Sequence, residues 1–404
     1  MTPLYKIKII DFSRLFLSLL IISINIREPF FHTREIFFFL FIVTSLPFAN
    51  YKNLIFSLLL LSIWGGSVVF NLLVLGSNMD LSNGGFETII SSAYLFLLCF
   101  SKKEYAETII KSYLVASVFV GTLIVILWSI CYAVPFVYTG LKLYFDTLRE
   151  TKNLMICSID KRSILNFVFL TVYYRTSPCM IGALGYCLIS RLKGIKKYSF
   201  QIILFTVALI FTGARANMMS AVLLIFLYVV FYLIKKNYFS LAFMLLVLSF
   251  FLAVFAAVLF LTDPNSKSSS IKALDTQVYM QTFHSDLLRL VFFGWGPGSS
   301  YYSFVRHKMM NVSELSHLET MRRYGFISTV FIFFFIWFSP FITKLINEES
   351  IFKYFYGAVI FAFIFTACTN VFLVDSVGFC ALLFFKTFFM YGEKCNDFHC
   401  NDHL

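Results

Sequence analysis

Ser199–Lys236 reads SFQIILFTVALIFTGARANMMSAVLLIFLYVVFYLIKK, two apolar runs hinged on Thr212-Gly213-Ala214-Arg215. Between Ser199 and Lys235 the only charged residue is Arg215, so neither run has a polar face to turn toward water. Runs approaching 20 apolar residues are long enough to cross a bilayer, and Gly213 permits the tight reversal that pairs them. Lys196, Lys197, Lys235 and Lys236 close the two far ends. The unit predicted is a hairpin of membrane-crossing helices with Arg215 at its apex.

The composition around this hairpin is of the same kind. Of 404 residues 59% are hydrophobic and 13% charged, and the mean hydropathy is +0.82. Soluble chains carry about 25% charged residues, so this one has too few polar groups to cover a body in water. Helices are expected near 10–26, 36–50, 54–75, 88–100, 112–134, 166–190, 199–213, 217–234, 239–261, 324–343, 354–373 and 377–391. The fold class expected is an all-α polytopic membrane protein of about 12 transmembrane helices. The first apolar stretch lacks a small-residue cleavage site and is expected to stay as an uncleaved helix. No internal repeat relates the halves, in contrast to the duplicated halves common among secondary transporters.

The net charge of +12 is explained by topology and calls for no nucleic-acid partner. With the N-terminus inside, the cytoplasmic segments carry Lys6, Lys8, Lys52, Lys102, Lys103, Lys111, Arg191, Lys193, Lys196, Lys197, Lys235, Lys236, Lys344, Lys353 and Lys394. The short external loops carry only Arg27, Arg34 and Arg215. This asymmetry places both termini in the cytoplasm. The chain then divides into helices one to nine (1–261, with an external loop at 135–165), a large external loop (262–323), helices ten to twelve (324–391) and a cytoplasmic tail (392–404). Cys395, His399, Cys400 and His403 are metal-ligand types without the spacing of a folded zinc module. No metal or cofactor is expected, and the other cysteines read mainly as small hydrophobes.

Charges within spans need a partner or a task. Asp11 and Arg14 can pair with each other near the cytoplasmic end, and Lys386 can snorkel. Arg175, in Tyr173-Tyr174-Arg175-Thr176-Ser177-Pro178, is placed by the expected sixth helix ~14 Å below its external start. A guanidinium there wants an anion, whether a neighbouring carboxylate or a bound phosphate. Arg215 stands where the eighth helix presents its free N-terminal amides, an arrangement suited to anions. It also suits an interfacial Arg reaching headgroups. The large loop adds Arg289, then Glu314, His317, Glu319, Arg322 and Arg323. If 313–323 is helical, Glu314, His317 and Arg322 share a face, as do Glu319 and Arg323. Acid and base beside cations suit transfer chemistry on a phosphate-bearing lipid, and the same spacing fits a solvated charged helix.

Thr212-Gly213-Ala214-Arg215 opening an apolar helix resembles the T-G-[SA]-R signature of the O-antigen polymerase and ligase superfamily. Gly294-Trp295-Gly296-Pro297-Gly298-Ser299 resembles that family's G-x-G-x-G segment, apart from Pro297 within it. Glu314-x-x-x-x-Glu319-x-x-Arg322-x-x-Gly325 resembles the end of its periplasmic loop. The likeness covers roughly 200–340. It implies a GT-C-like fold in the bacterial inner membrane, with the large periplasmic loop between helices nine and ten. It also implies glycan transfer from undecaprenyl diphosphate. Ligases of this superfamily carry a His where this chain has Glu314, so the polymerase branch is the better match.

The resemblance thus implies a polymerase using undecaprenyl-diphosphate-linked oligosaccharide as donor and acceptor, in contact with membrane lipid and a chain-length regulator protein. Arg215, Arg175, Arg289, Arg322 and Arg323 are the candidates for binding diphosphate. Glu314 or Glu319 would be the general base, with His317 in reserve. The alternatives are a ligase transferring glycan to lipid A-core, a lipid-linked oligosaccharide flippase or other secondary transporter, and a structural or partner-binding membrane protein.

Overall fold

The computed structural model describes residues 3–26, 32–73, 93–152, 156–164, 167–248, 277, 286–296, 301–303, 308–310, 316–331, 336–338, 341–342, 345, 352–367, 373 and 375–397. The chain runs through α1 (Pro3–Ile26), α2 (Thr33–Ser45), α3 (Tyr51–Leu73), a 3-10 segment (Tyr94–Phe100), α4 (Lys103–Ala133) and α5 (Pro135–Lys152). An antiparallel hairpin follows, β1 (Cys157–Ile164) and β2 (Phe167–Tyr174), then α6 (Cys179–Leu192), α7 (Ser199–Phe211), α8 (Arg215–Lys235) and α9 (Phe239–Leu248). The remainder comprises α10 (Leu287–Phe292), the pair β3 (Tyr301–Ser303) and β4 (Lys308–Met310), α11 (Ser316–Tyr324), α12 (Phe326–Phe331), α13 (Phe352–Ala367) and α14 (Ser376–Asp397). Among the described residues, α1, α4 and α8 are long and apolar enough to cross a membrane. Shorter apolar helices include α6, α9 and the apolar stretches of α13 and α14. The molecule is a mostly helical membrane protein.

α6 lies at the centre, with every residue but Arg191 buried. α4, α7, α8, α13 and α14 all pack against it. Between apolar helices in lipid, close packing and hydrogen bonds must hold what the hydrophobic effect does not. Tyr113 of α4 stacks on Phe384 of α14, centroids 4.1 Å apart, and its hydroxyl donates to the Cys179 carbonyl at 3.0 Å. Ser220 of α8 donates to the Ala362 carbonyl at 3.0 Å, and its Oγ lies 2.8 Å from Thr366 Oγ1 on α13.

The two ends of the bundle are chemically distinct. At one end Ser13 and Tyr105 share a 2.8 Å hydrogen bond, Arg14 Nε donates to the Glu104 carbonyl at 3.0 Å, and the Asn50 amide donates to Cys99 at 3.0 Å. These residues belong to the segments expected inside. At the other end Thr176 Oγ1 donates to the Asn25 carbonyl at 2.5 Å and the Tyr174 hydroxyl donates to Ile26. α1 runs from the first end to the second, where Asn25 and Ile26 accept these bonds.

Several sequence expectations need correction. The helical membrane fold is as expected, but Phe167–Tyr174, expected as the outer half of the sixth helix (166–190), is a strand paired with Cys157–Ile164. Pro178 sits at the N-cap of α6, where its ring disfavours helix at the preceding residue, so the helix starts at Cys179. The expected loop 135–165 contains α5 and β1. The fifth helix begins at Lys103 rather than 112. The fourth is described from residue 93, with Tyr94–Phe100 as 3-10 helix. Helix nine is described only to Leu248, and most of 262–285 and the distal part of helix ten lie outside the described residues.

Candidate functional site

The first cluster is built where β2 meets α8. Trp128 of α4 donates to the Leu170 carbonyl at 2.8 Å and stacks on Phe211, centroids 4.0 Å apart, holding β2 against the top of α7. Gly213 has φ +60, and a β-carbon there would run into the side chain of Thr171. Only glycine fits this reversal comfortably, since the left-handed backbone and the neighbouring strand both exclude a side chain. Arg215 is consequently the first residue of α8, with Ala214 at the N-cap. Its position at the apex is as the sequence suggests, and its residue is half-buried.

Arg175 is not deep within a helix. It lies half-buried in the turn between β2 and α6, where its amide donates to the Ile156 carbonyl at 3.0 Å and Ser177 closes the turn onto Tyr174 at 2.9 Å. The expected depth of ~14 Å fails because the residues above Arg175 are strand rather than helix. What the sequence did not reveal is the clamp joining this turn to the α7–α8 apex. Asn217 Nδ2, fully buried, donates to Ser177 Oγ at 3.0 Å and to Thr212 Oγ1 at 3.1 Å. Asn217 follows Arg215 by two residues and Ser177 follows Arg175 by two, so one amide ties the two arginine-bearing turns together. The signal for it was a lone Asn near the start of an apolar span.

The second cluster is built where α10 meets α11. Gly294 has φ +67 and Gly325 has φ +85, and their backbones touch the opposite segment. A β-carbon on Gly294 would lie 2.5 Å from the Arg322 carbonyl oxygen, and one on Gly325 would lie 2.9 Å from the Phe292 carbonyl carbon. This mutual approach lets the Trp295 amide donate to the Arg322 carbonyl at 2.6 Å and the Gly296 amide to Arg323 at 3.1 Å. Two of the sequence motifs, the Gly-rich segment and the Glu319–Gly325 run, therefore form one unit. Arg289 lies over the Trp295 ring at 5.3 Å and donates from Nε to the Gly294 carbonyl at 3.2 Å. Partial burial pulls its pKa below the ordinary arginine value, with Asp286 opposing.

Within α11, Glu319 is 1% exposed and faces two arginines. Arg322 donates from Nε to Oε2 at 3.1 Å and from Nη2 to Oε1 at 2.6 Å, and Arg323 Nε donates to Oε1 at 2.5 Å. The carboxylate is thus shared between two buried guanidiniums. His317 is exposed, and desolvation holds its pKa below the ordinary histidine value, which favours the neutral, proton-accepting ring. Glu314 and Pro297 lie outside the described residues.

Phe293, next to Gly294, stacks on Phe70 near the end of α3, centroids 4.2 Å apart. This ring contact ties the second cluster to α3. Compared with known proteins, the chain matches no family model, no curated protein and no solved structure.

Proposed function

We propose that this chain is a membrane glycosyltransferase that joins polyprenyl-diphosphate-linked oligosaccharide repeats into a surface polysaccharide of the O-antigen type at the external face of the inner membrane. The observation that supports the reading is that two arginine-bearing turns, at Arg175 and Arg215, are clamped together at one end of an apolar helical bundle, with Arg289, Arg322 and Arg323 in a second cluster. Cations that depart from the usual topological bias need another explanation, and a lipid diphosphate supplies one.

In the proposed reaction a growing glycan on undecaprenyl diphosphate is the donor. A hydroxyl at the non-reducing end of a single lipid-linked repeat attacks its anomeric carbon. The new glycosidic bond forms as the bond from the anomeric carbon to the diphosphate oxygen breaks. The acceptor proton passes to a general base and undecaprenyl diphosphate leaves. Charge develops on that leaving group, so preorganised guanidiniums are the main catalytic device. Arg215 and Arg175 take this role, with Arg289 a third candidate. Glu319 holds Arg322 and Arg323 in place, which leaves Glu314 or His317 to accept the proton. A chain-length regulator would act as a partner.

Arg215→Ala or Arg215→Lys is expected to abolish long chains in cells while single-repeat-capped lipid A survives. Long-chain ladders retained at normal protein levels would refute the assignment. His317, close to Glu314 in the sequence, keeps a second reading as an O-antigen ligase in play. In that case His317→Ala would remove single-repeat-capped and long-chain lipid A together.

A further inference from the structure

α5 is apolar on the side where an element outside the membrane would be expected to be polar. Val134 is extended (φ −127, ψ 92) and Pro135 cannot supply an amide to α4, so the spanning helix ends and α5 begins at once. The inner face of α5, Tyr138, Leu141, Phe145 and Leu148, packs toward the core. Lys142 pins the helix to β1 through a 2.9 Å bond to Asp160. Burial works against the Asp160 carboxylate, but the bonds from Lys142 and Ser158 outweigh it and hold the pKa below the usual aspartate value.

The outer face carries Phe136, 85% exposed, Leu143, 68% exposed, and Tyr144, 51% exposed, at spacings that place them on one side of a helix. Val115, Phe119, Ile126 and Ile130 form an exposed apolar stripe along α4, and Val134 extends it to the junction. Exposed apolar residues therefore follow one another from a membrane-crossing helix, through Ile130 and Val134, to Phe136 on α5. Asp146 and Arg149 stand along one flank of that strip, and Glu150, in line with Leu143, marks its end. Between residues 135 and 164 the basic groups Lys142, Arg149, Lys152, Lys161 and Arg162 exceed the acidic Asp146, Glu150 and Asp160.

We infer that α5 lies in the headgroup zone of the bilayer, with Phe136, Leu143 and Tyr144 at the acyl boundary and its charged flank in water. The occupant of this face is lipid because the strip follows the lipid-facing stripe of α4, and an amphipathic helix with an excess of cations beside it suits an anionic lipid surface. The α5–β1–β2 unit is then a platform resting on the membrane. Since Arg175 directly follows β2, that platform also sets the height of its turn above the bilayer. The inference holds whether or not the chain transfers glycans.

The test uses the full chain with Cys368, Cys395 and Cys400 replaced by Ser, in vesicles of phosphatidylethanolamine and phosphatidylglycerol. Single cysteines at Phe136, Leu143 or Arg162 carry a nitroxide, and relaxation by oxygen is compared with relaxation by a water-soluble nickel chelate. Labels at 136 and 143 should be relaxed mainly by oxygen, at least several-fold more than the label at 162, which should favour nickel. Nickel access at 136 and 143 equal to that at 162 would overturn the proposal. So would protection of both from either reagent, the mark of a covering protein surface. Because 136 and 143 are read independently, a label that disturbs folding at one site leaves the other to decide.

Discussion

The two arginine-bearing clusters are held in opposite ways. Around Arg175 and Arg215 the backbone is fixed by neutral groups: the Asn217 amide bridges Ser177 and Thr212, and Thr171 fills the space over Gly213. Around Arg322 and Arg323 the fixing group is the charge of Glu319 itself. A guanidinium locked to a buried carboxylate is rigid, but much of its charge is already answered. Two turns clamped through hydroxyls and an amide spend no countercharge on their fixing. The first cluster is thus fixed without charge and the second through it.

The largest effect should come from breaking the charge-held cluster. Glu319→Ala leaves two buried guanidiniums without their carboxylate and should cost about 3–5 kcal/mol. It should be seen as a lower Tm or reduced protein level in membranes, with Glu319→Asp recovering part of the loss. Next is Gly213→Ala, which places a side chain at positive φ against Thr171. Strain and crowding together should cost about 1–3 kcal/mol. Adding Thr171→Gly should relieve the crowding but not the backbone strain, so thermal unfolding should recover only in part.

Asn217→Ala removes both bonds of the neutral clamp and should cost about 1–3 kcal/mol. If the clamp positions Arg175 relative to Arg215, polymer length should fall more than the Tm shift explains, whereas Asn217→Ser should restore stability poorly and polymer less. The smallest effect concerns pH. The His317 pKa is lowered from 6.5 by desolvation, so the folded state binds fewer protons than the unfolded one just below that value. Stability from this group should therefore fall as pH drops below 6.5 and be flat above it. If His317 is the base, the acid limb of the rate profile should lie below 6.5 and disappear in His317→Gln.

Much of the first cluster was legible in the sequence. The Thr212–Arg215 apex followed from two apolar runs and a glycine, and its geometry is as expected. The depth of Arg175 was not legible, because Phe167–Tyr174 is an unbroken apolar run that hydropathy cannot separate from a helix segment. Its β-branched and aromatic residues lean toward strand, and pairing with Cys157–Ile164 decides it. The same limit hid α5, whose apolar stripes are interrupted by charges and so resembled a connecting loop. In the second cluster the glycines and the charges were each visible as motifs. Their union depends on two positive-φ glycines meeting backbone to backbone across about thirty residues, which no local pattern encodes.

The central claim is that the arginines at the Arg175 and Arg215 turns serve a lipid diphosphate. Purified parent chain and Arg215→Ala should be reconstituted with an undecaprenyl-diphosphate-linked repeat unit and the length of the lipid-linked glycan followed by gel and mass spectrometry. The account predicts that the parent joins repeats and releases undecaprenyl diphosphate, while Arg215→Ala, with an unchanged Tm, leaves single repeats. Failure of the folded parent to lengthen any lipid-linked glycan, or equal lengthening by Arg215→Ala, would contradict it.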